Sequence, residues 1–358
     1  MRIALLGTRG IPANYGGFET FAEELCVRLA ERGHQVAVYC REKHANCCYE
    51  GVRLLYLPTI KHKYFDTLVH TGISTVDLLT RRFDAVLYCN AANAVFTLLP
   101  RFLGMPSALN VDGLERHRKK WNRLAKTWYL ISEWLATWCC SAVVTDAEHI
   151  REYYLERYNK ESRFIPYGAP VGKVPSTDAV RALGLEPDRY VLYVSRMEPE
   201  NNALMVRQAF ENIKTDFKLA LVGDAPYAAE YIRQVKQTDD PRVVIPGAIY
   251  GDAYHQLQSH SGVYVQATEV GGTHPALIEA MGRGAMVLYL QTPESDEVAG
   301  GAAIPFTDDL EEKLQWAVNV SDQERARWSE RAMKRVAANY SWEAVTDEYE
   351  RLFQKLVS

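Results

Sequence analysis

"GTRGIPANYGGFETF", residues 7–21, follows the apolar run Arg2–Leu6 and puts four glycines and a proline ahead of a helix-like stretch. Strand, glycine-rich turn and helix in that order form the opening unit of an open α/β sheet. Ligands of such sheets bind where the carboxyl end of a strand faces a helix N-terminus. The spacing predicts a helix from about Gly17. Gly7, Gly10, Gly16 and Gly17 carry no Cβ, so an anion can approach their backbone N–H groups. The spacing is not G-x-G-x-x-G, which sets the turn apart from a dinucleotide fingerprint. A tight turn that binds nothing is the alternative.

The same alternation runs through the whole chain. Short apolar runs separated by helical patterns recur six times in the first half, in "RIALLG", "QVAVYC", "VRLLYL", "DAVLYC", "SALNV" and "SAVVTD". Six more follow in the second half, in "YVLYVS", "FKLALVG", "RVVIPG", "GVYVQA", "AMVLYL" and "AAIPF". Strands apolar on both faces and alternating with helices make parallel sheets. At 358 residues the chain is long enough for two cores. The fold class is therefore α/β with two Rossmann-like doubly wound domains, residues 1–168 and 169–340. The Pro- and Gly-rich stretch 166–176 marks their boundary, and a helix predicted over about 341–358 has Ser341 as its candidate N-cap.

Bulk properties remove several classes of function. A net charge of -4 gives no general reason to bind nucleic acid. The seven cysteines form no C-x-x-C pair and none lies after Cys140, which fits reduced thiols in a cytoplasmic protein better than zinc or a disulfide framework. No signal-peptide pattern opens the chain, and no stretch has the ~18 apolar residues of a membrane span.

Two further loops follow strands in the second half. "EVGGTHPALIEAMGRG", 269–284, sets Gly271 and Gly272 before a helix expected from about Pro275, with Thr273 as candidate N-cap. Glu279 lies in that helix, where a carboxylate can accept from vicinal hydroxyls. "SRMEPENN", 195–202, carries Arg196, whose planar fork suits a diphosphate.

These segments, with "TDAEHIREYY", "FIPYGA", "LALVGDAPY" and "YSWEAVTDEYERLF", resemble in chain order the family 4 glycosyltransferases of GT-B fold. The combination of "GTRGIPA…YGGFE", "PENN" and "GGT-x-P…EAM" is similar to the bacterial branch that uses dTDP-L-rhamnose for surface polysaccharides. The resemblance implies two domains facing a central cleft. It assigns acceptor binding to the first and nucleotide-sugar binding to the second, and it has the C-terminal helix pack back on the first. It implies donor contacts from Gly16, Gly17, Arg196, Asn201, Asn202, Gly223, Gly271, Gly272, Thr273 and Glu279. Catalytic roles fall to Asp112, Arg196 and Glu269, with a retaining outcome. Two positions depart from the broad family. Asn201 and Asn202 stand where a lysine is usual, and nine residues rather than seven separate Glu269 from Glu279.

No D-x-D motif occurs, so catalysis is expected to need no metal and no cofactor. Arg196, the amides of Gly16 and Gly17, and the helix start after Thr273 would carry the leaving-group charge instead.

On the acceptor side, Arg116, His117, Lys119, Lys120 and Trp121 open a basic stretch. Trp121, Leu124, Trp128, Ile131, Leu135 and Trp138 then recur at helical spacing. Such a helix fits the inner membrane surface and a lipid-diphosphate-linked saccharide, or a core helix with a solvated basic end. The basic-aromatic loop 60–67 adds to it. A donor such as a UDP-hexose, a nucleotide-sugar epimerase and a non-catalytic binding subunit are the competing readings.

Overall fold

The computed structural model describes all residues except 15, 61, 63, 64, 120, 226 and 227. Lys120, and Lys61, Lys63 and Tyr64 of the loop 60–67, therefore lie outside the described residues. The chain forms two compact units, 1–167 with 342–358, and 168–341.

The first unit holds strands β1 (Arg2–Leu6), β2 (Gln35–Cys40), β3 (Cys48–Tyr49), β4 (Val52–Tyr56), β5 (Ala85–Cys89), β6 (Ser107–Asn110), β7 (Ala142–Thr145) and β8 (Arg163–Phe164). Their order across the sheet is β3-β4-β2-β1-β5-β6-β7-β8, parallel except for β3. Helices α1 (Gly17–Glu31), α2 (Asp66–Leu79), α3 (Leu98–Phe102), α4 (Arg123–Cys139) and α5 (Glu148–Tyr158) connect them. Every residue of β5 and β6 is buried, as a strand covered on both faces must be.

The second unit is built on β9 (Tyr190–Val194), β10 (Lys218–Val222), β11 (Val243–Gly247), β12 (Val263–Gln266), β13 (Val287–Leu290) and β14 (Ile304–Phe306). All six are parallel in the order β11-β10-β9-β12-β13-β14. Helices α6 (Asp178–Ala182), α7 (Ala203–Asn212), α8 (Ala229–Lys236), α9 (Gly251–Ser259), α10 (Pro275–Gly282), α11 (Pro293–Ala299), α12 (Leu310–Asn319) and α13 (Asp322–Asn339) surround this sheet. In each unit the order reverses beside the first strand, at β1/β5 and at β9/β12. Such switch points open a crevice at the carboxyl ends of the strands.

The last helix, α14 (Trp342–Val357), belongs to the first unit. Tyr349 packs on Phe21 of α1 with ring centroids 5.4 Å apart, and Phe353 packs on Tyr349 at 6.0 Å. Arg32, at the end of α1, pairs with Glu343, Asp347 and Glu350 at 2.7, 2.6 and 3.0 Å. The buried aromatics carry most of this docking, because half-exposed ion pairs contribute little each. Asn110 Nδ2 donates to the Tyr349 hydroxyl at 2.9 Å, which ties α14 to the carboxyl end of β6.

Candidate active site

In the first unit, the glycines of residues 7–21 divide by role. Gly7 and Gly10 have φ of +96° and +109°. A Cβ on Gly7 would lie 2.3 Å from the Cys89 carbonyl oxygen, and one on Gly10 2.6 Å from Cys40 Sγ. Close packing on β5 and β2 accounts for a glycine at both positions. Gly16 is the N-cap of α1 and Gly17 its first residue, and a Cβ on Gly16 would meet nothing nearer than 3.5 Å. Only this pair keeps the expected place, where helix amides are free to meet an anion.

Two carboxylates of α1 hold the loop. Glu19 Oε1 accepts from the Arg9 backbone N–H at 2.9 Å, and Glu23 Oε2 accepts from that of Ala13 at 2.5 Å. Burial raises the Glu19 pKa, and the hydrogen bond from Arg9 and the nearby Arg41 and Arg9 charges oppose that rise. Neither glutamate stands out in the sequence, since i and i+4 acids on a helix look like a solvated face. Glu19→Ala should lower unfolding free energy by about 1–3 kcal/mol by orphaning the Arg9 N–H, with Glu19→Gln costing less. Urea denaturation of the two variants measures the difference.

Asp112 follows β6 in the left-handed region, at φ +57°, and its N–H donates to Asn110 Oδ1 at 3.0 Å. Its carboxyl is hydrogen-bonded to that of Asp146, which follows the adjacent strand β7 and is wholly buried. Burial, then the Glu115 charge, raises the Asp112 pKa, and Arg118 opposes the rise. The buried Glu115 pairs with Arg118 at 2.5 Å beneath it. Asp146, Glu115 and Arg118 all escape a reading of the sequence.

A carboxyl whose pKa is raised by folding stabilises the native state below its unfolded pKa. That stability is lost as pH rises through the folded value. Wild-type protein should therefore lose stability from pH 4 upward through the raised Asp112 pKa, and Asp112→Asn should flatten that slope while cutting transfer at least ~100-fold. Melting midpoints against pH, with transfer rates beside them, test both.

Of the residues assigned to an acceptor or membrane surface, Arg116 and Trp121 turn inward. Arg116 Nε lies 3.4 Å from Glu133, its guanidinium covers the Tyr153 ring at 5.3 Å, and its Nη2 donates to the Tyr153 hydroxyl at 3.0 Å. Trp121 Nε1 donates to Glu115 at 3.3 Å, with its ring 5.5 Å from that of Tyr129. His117 and Lys119 stay exposed, and the His117 pKa is lowered by burial of its ring and by Arg116 and Lys126. Arg116 and Trp121 thus brace the protein rather than face a membrane.

In the second unit, the loops after β9 and β12 meet at the switch point. Arg196 is half-buried just past β9, and among the described residues its guanidinium has no hydrogen-bond or ion-pair partner. Its backbone is fixed, because Asn201 Nδ2 donates to the Arg196 carbonyl at 2.6 Å. Asn202, at φ +63°, donates to the Ala267 carbonyl at 2.9 Å and to Glu269 Oε1 at 3.1 Å. The Glu269 N–H donates to the Glu200 carbonyl at 3.0 Å. The two asparagine amides therefore position Arg196 and Glu269, where direct donor contacts were expected. Glu200 is wholly buried, and among the described residues neither of its carboxylate oxygens has a hydrogen-bond partner.

The structure places three more of the expected residues, and corrects one of them. Gly223 is required by packing, since its Cβ would fall 1.8 Å from the Ser195 carbonyl oxygen. His274, not Thr273, is the N-cap of α10. Glu279 is buried, and the Tyr254 hydroxyl donates to its Oε2 at 2.5 Å. Burial, then the Glu279 charge, pushes the Tyr254 pKa well up, so the phenol remains a donor. Gly271, Gly272 and Thr273 do lie between β12 and α10, and a Cβ on Gly271 would strike the His274 ring at 2.5 Å.

Among the described residues, no helix is long and apolar enough to cross a membrane. Residues 15–171 match the family description Glycosyltransferase Family 4, and residues 188–319 match Glycosyl transferases group 1. A curated relative, Lipopolysaccharide 1,2-N-acetylglucosaminetransferase of Salmonella typhimurium, is 26% identical over 236 residues. That match covers 58% of this chain and 60% of the relative, so the chain spans less than two thirds of the relative's length. Sucrose-phosphate synthase from Thermosynechococcus elongatus superposes with a TM-score of 0.79 at 20% identity, over 99% of this chain and 98% of that one. Anabaena Alr3699/HepE, solved with UDP-glucose, gives 0.80 at 16% identity over 99% and 100%. WaaG, a glycosyltransferase involved in lipopolysaccharide biosynthesis, gives 0.71 at 16% identity over 97% and 99%. Each half thus matches a glycosyltransferase domain, family 4 in the first and group 1 in the second, on a fold shared along its length with GT-B glycosyltransferases.

Proposed function

We propose that the chain moves a sugar from a nucleoside-diphosphate donor, dTDP-L-rhamnose, to a lipid-diphosphate-linked saccharide in bacterial surface polysaccharide synthesis. The observation that carries this reading is Arg196, a half-buried guanidinium with no partner among the described residues, in the loop after β9 at the switch point of a doubly wound sheet, where the neighbouring strand β12 leads into α10. A preorganised cation beside a helix N-terminus is what a departing diphosphate needs. Rhamnose as the sugar rests on the likeness of "GTRGIPA", "PENN" and "GGT-x-P" to the rhamnosyl branch. In the retaining reaction the acceptor oxygen attacks the anomeric carbon on the face the diphosphate leaves, and its proton passes to a donor phosphate oxygen. Asp112 orients the acceptor or the sugar, and Glu269, held by Asn202, contacts the sugar. The reaction needs no metal.

A UDP-hexose donor is the second reading. The N-acetylglucosaminetransferase relative and the UDP-glucose complex of Alr3699/HepE favour it. The test is transfer to a synthetic lipid-diphosphate saccharide from each donor with EDTA present, the product's anomeric configuration read by NMR. The proposal expects a rhamnosylated product that keeps the donor configuration. Turnover of donor without acceptor would instead indicate an epimerase, and no turnover at all a binding subunit.

A further inference from the structure

Of the seven cysteines, Cys26, Cys40, Cys89, Cys139 and Cys140 are buried, and Cys47 and Cys48 are exposed. Burial pushes each of the buried thiols up, away from the reactive thiolate. The two exposed cysteines are neighbours in the chain, and their Sγ atoms lie 3.9 Å apart. Successive side chains of a strand point to opposite faces. Cys47, however, stands in the bend just before β3, and Cys48 is the first residue of that strand, so the thiols can meet. The hydrogen bond shared with Cys47 raises the Cys48 pKa, and the charge of Arg53, opposite Cys48 on β4, works against that rise. An exposed thiol in contact with one that keeps its proton is the arrangement of an attacking and a resolving cysteine.

We propose that Cys47 and Cys48 form a reversible oxidation site, closed to a disulfide by peroxides and reopened by dithiols, and that its closure loosens the loop of residues 7–17. The Cys47 sulfur attacks one oxygen of hydrogen peroxide, the O–O bond breaks, and the thiol proton leaves with the other oxygen as water. The Cys48 sulfur then attacks the resulting sulfenic acid, and its proton leaves with the hydroxyl as a second water while the S–S bond forms. The thiols give up two electrons and two protons in all, and the peroxide is reduced to water. Adjacent Cα atoms are only about 3.8 Å apart, short of the ~4.4–6.8 Å usual across a disulfide. Such a bridge is strained and exposed, hence readily reduced. Closing it brings the sulfurs from 3.9 Å to about 2.05 Å. The pairing of Cys48 with Arg53 and the Leu54 N–H bond to the Cys47 carbonyl, 2.8 Å long, resist that movement. With two residues at the sheet edge, β3 has little else to hold it. The next residue, Tyr49, donates from its hydroxyl to Glu23 Oε1 at 3.0 Å, and Glu23 Oε2 accepts from the Ala13 N–H. A shift of β3 therefore reaches the loop ahead of α1 through these hydrogen bonds.

The effect on sugar transfer rests on the reading given above, whereas the bridge and the loosened loop do not. The test treats the reduced whole protein with equimolar hydrogen peroxide and follows thiol titration, intact mass and peptide mapping. Reduced protein should show two fast-reacting thiols. Oxidised protein should show neither, with the mass of a pair of hydrogens lost and Cys47 bridged to Cys48 within one peptide. Dithiothreitol should restore both. Amide exchange over residues 7–17 should quicken on oxidation of the wild type and not of Cys48→Ser. The transfer rate should fall roughly tenfold, the worth of one hydrogen bond to a charged group. Tyr49→Phe removes the link and keeps the thiols, so it should show the slower rate before oxidation and no further fall after it. Thiols that stay free, a sulfinic acid in place of the bridge, or a bridge between two chains overturns the site. A Cys47–Cys48 bridge that leaves loop exchange and rate unchanged overturns the coupling. A bridge that quickens loop exchange in a protein that transfers no sugar supports the inference and sinks the transferase reading alone.

Discussion

Arg196→Ala lowers kcat/KM for sugar transfer by roughly 10²–10³-fold, the loss usual for one preorganised donor at a developing charge. The melting midpoint stays near the wild-type value, because the guanidinium bonds to no group among the described residues. Arg196→Lys keeps the charge but not the planar fork and falls between the two. Asn201→Ala leaves the arginine in place but frees the carbonyl that Asn201 grips at 2.6 Å. Its effect should appear mainly in kcat, as expected for a positioning residue. Steady-state rates and melting curves on the three variants check this order. Full activity in Arg196→Ala would remove the basis of the proposed chemistry.

Gly223→Ala abolishes most folded protein. Gly223 sits just past β10 at φ +148°, and its Cβ would meet the Ser195 carbonyl oxygen at 1.8 Å and carbon at 3.0 Å. Both obstacles are backbone, in the loop that leaves the neighbouring strand β9, so no rotamer change relieves them. The Gly223 N–H also donates to the Gly247 carbonyl at 2.9 Å, which pins the other side. A loss above about 4 kcal/mol is expected, in the range reserved for backbone that cannot relax. Gly104→Ala is the comparison: φ is also positive, at +75°, but nothing lies within 4 Å of the added methyl. That change should cost only about 1–2 kcal/mol. Soluble yield and urea denaturation of the pair separate steric clash from backbone strain, and a stable Gly223→Ala protein would contradict the geometry of the β9 and β10 exits.

The alternation of apolar runs and helical patterns was enough to place twelve of the strands, because strands buried on both faces read as uninterrupted Val, Leu and Tyr. Strands β3 and β8 escaped because each has two residues, too few for any period. The loops after β1, β9 and β12 were legible from glycine and arginine placement, but the division of labour inside them was not. Whether a glycine faces a ligand or a neighbouring strand depends on partners such as Cys89 and Ser195, which lie far away in sequence. The pairing of Asp112 with Asp146 was hidden for the same reason, since only the adjacency of β6 and β7 joins them. Helix α4 misled by its chemistry. It buries Ser132 and Glu133, because Tyr153 and Tyr158 donate to Glu133 at 2.9 and 3.2 Å, and it leaves tryptophans outside.

The most direct measurement is thermal unfolding of wild-type protein and Arg196→Ala across a panel of dTDP-L-rhamnose, UDP-N-acetylglucosamine and UDP-glucose, with and without EDTA. A ligand held by the native state alone at ~100 times its Kd adds ~2.7 kcal/mol, which a melting curve resolves. The account predicts the largest stabilisation by dTDP-L-rhamnose, no change with EDTA, and loss of most of the shift in Arg196→Ala. No stabilisation by any nucleotide sugar, or an equal shift in Arg196→Ala, would contradict it.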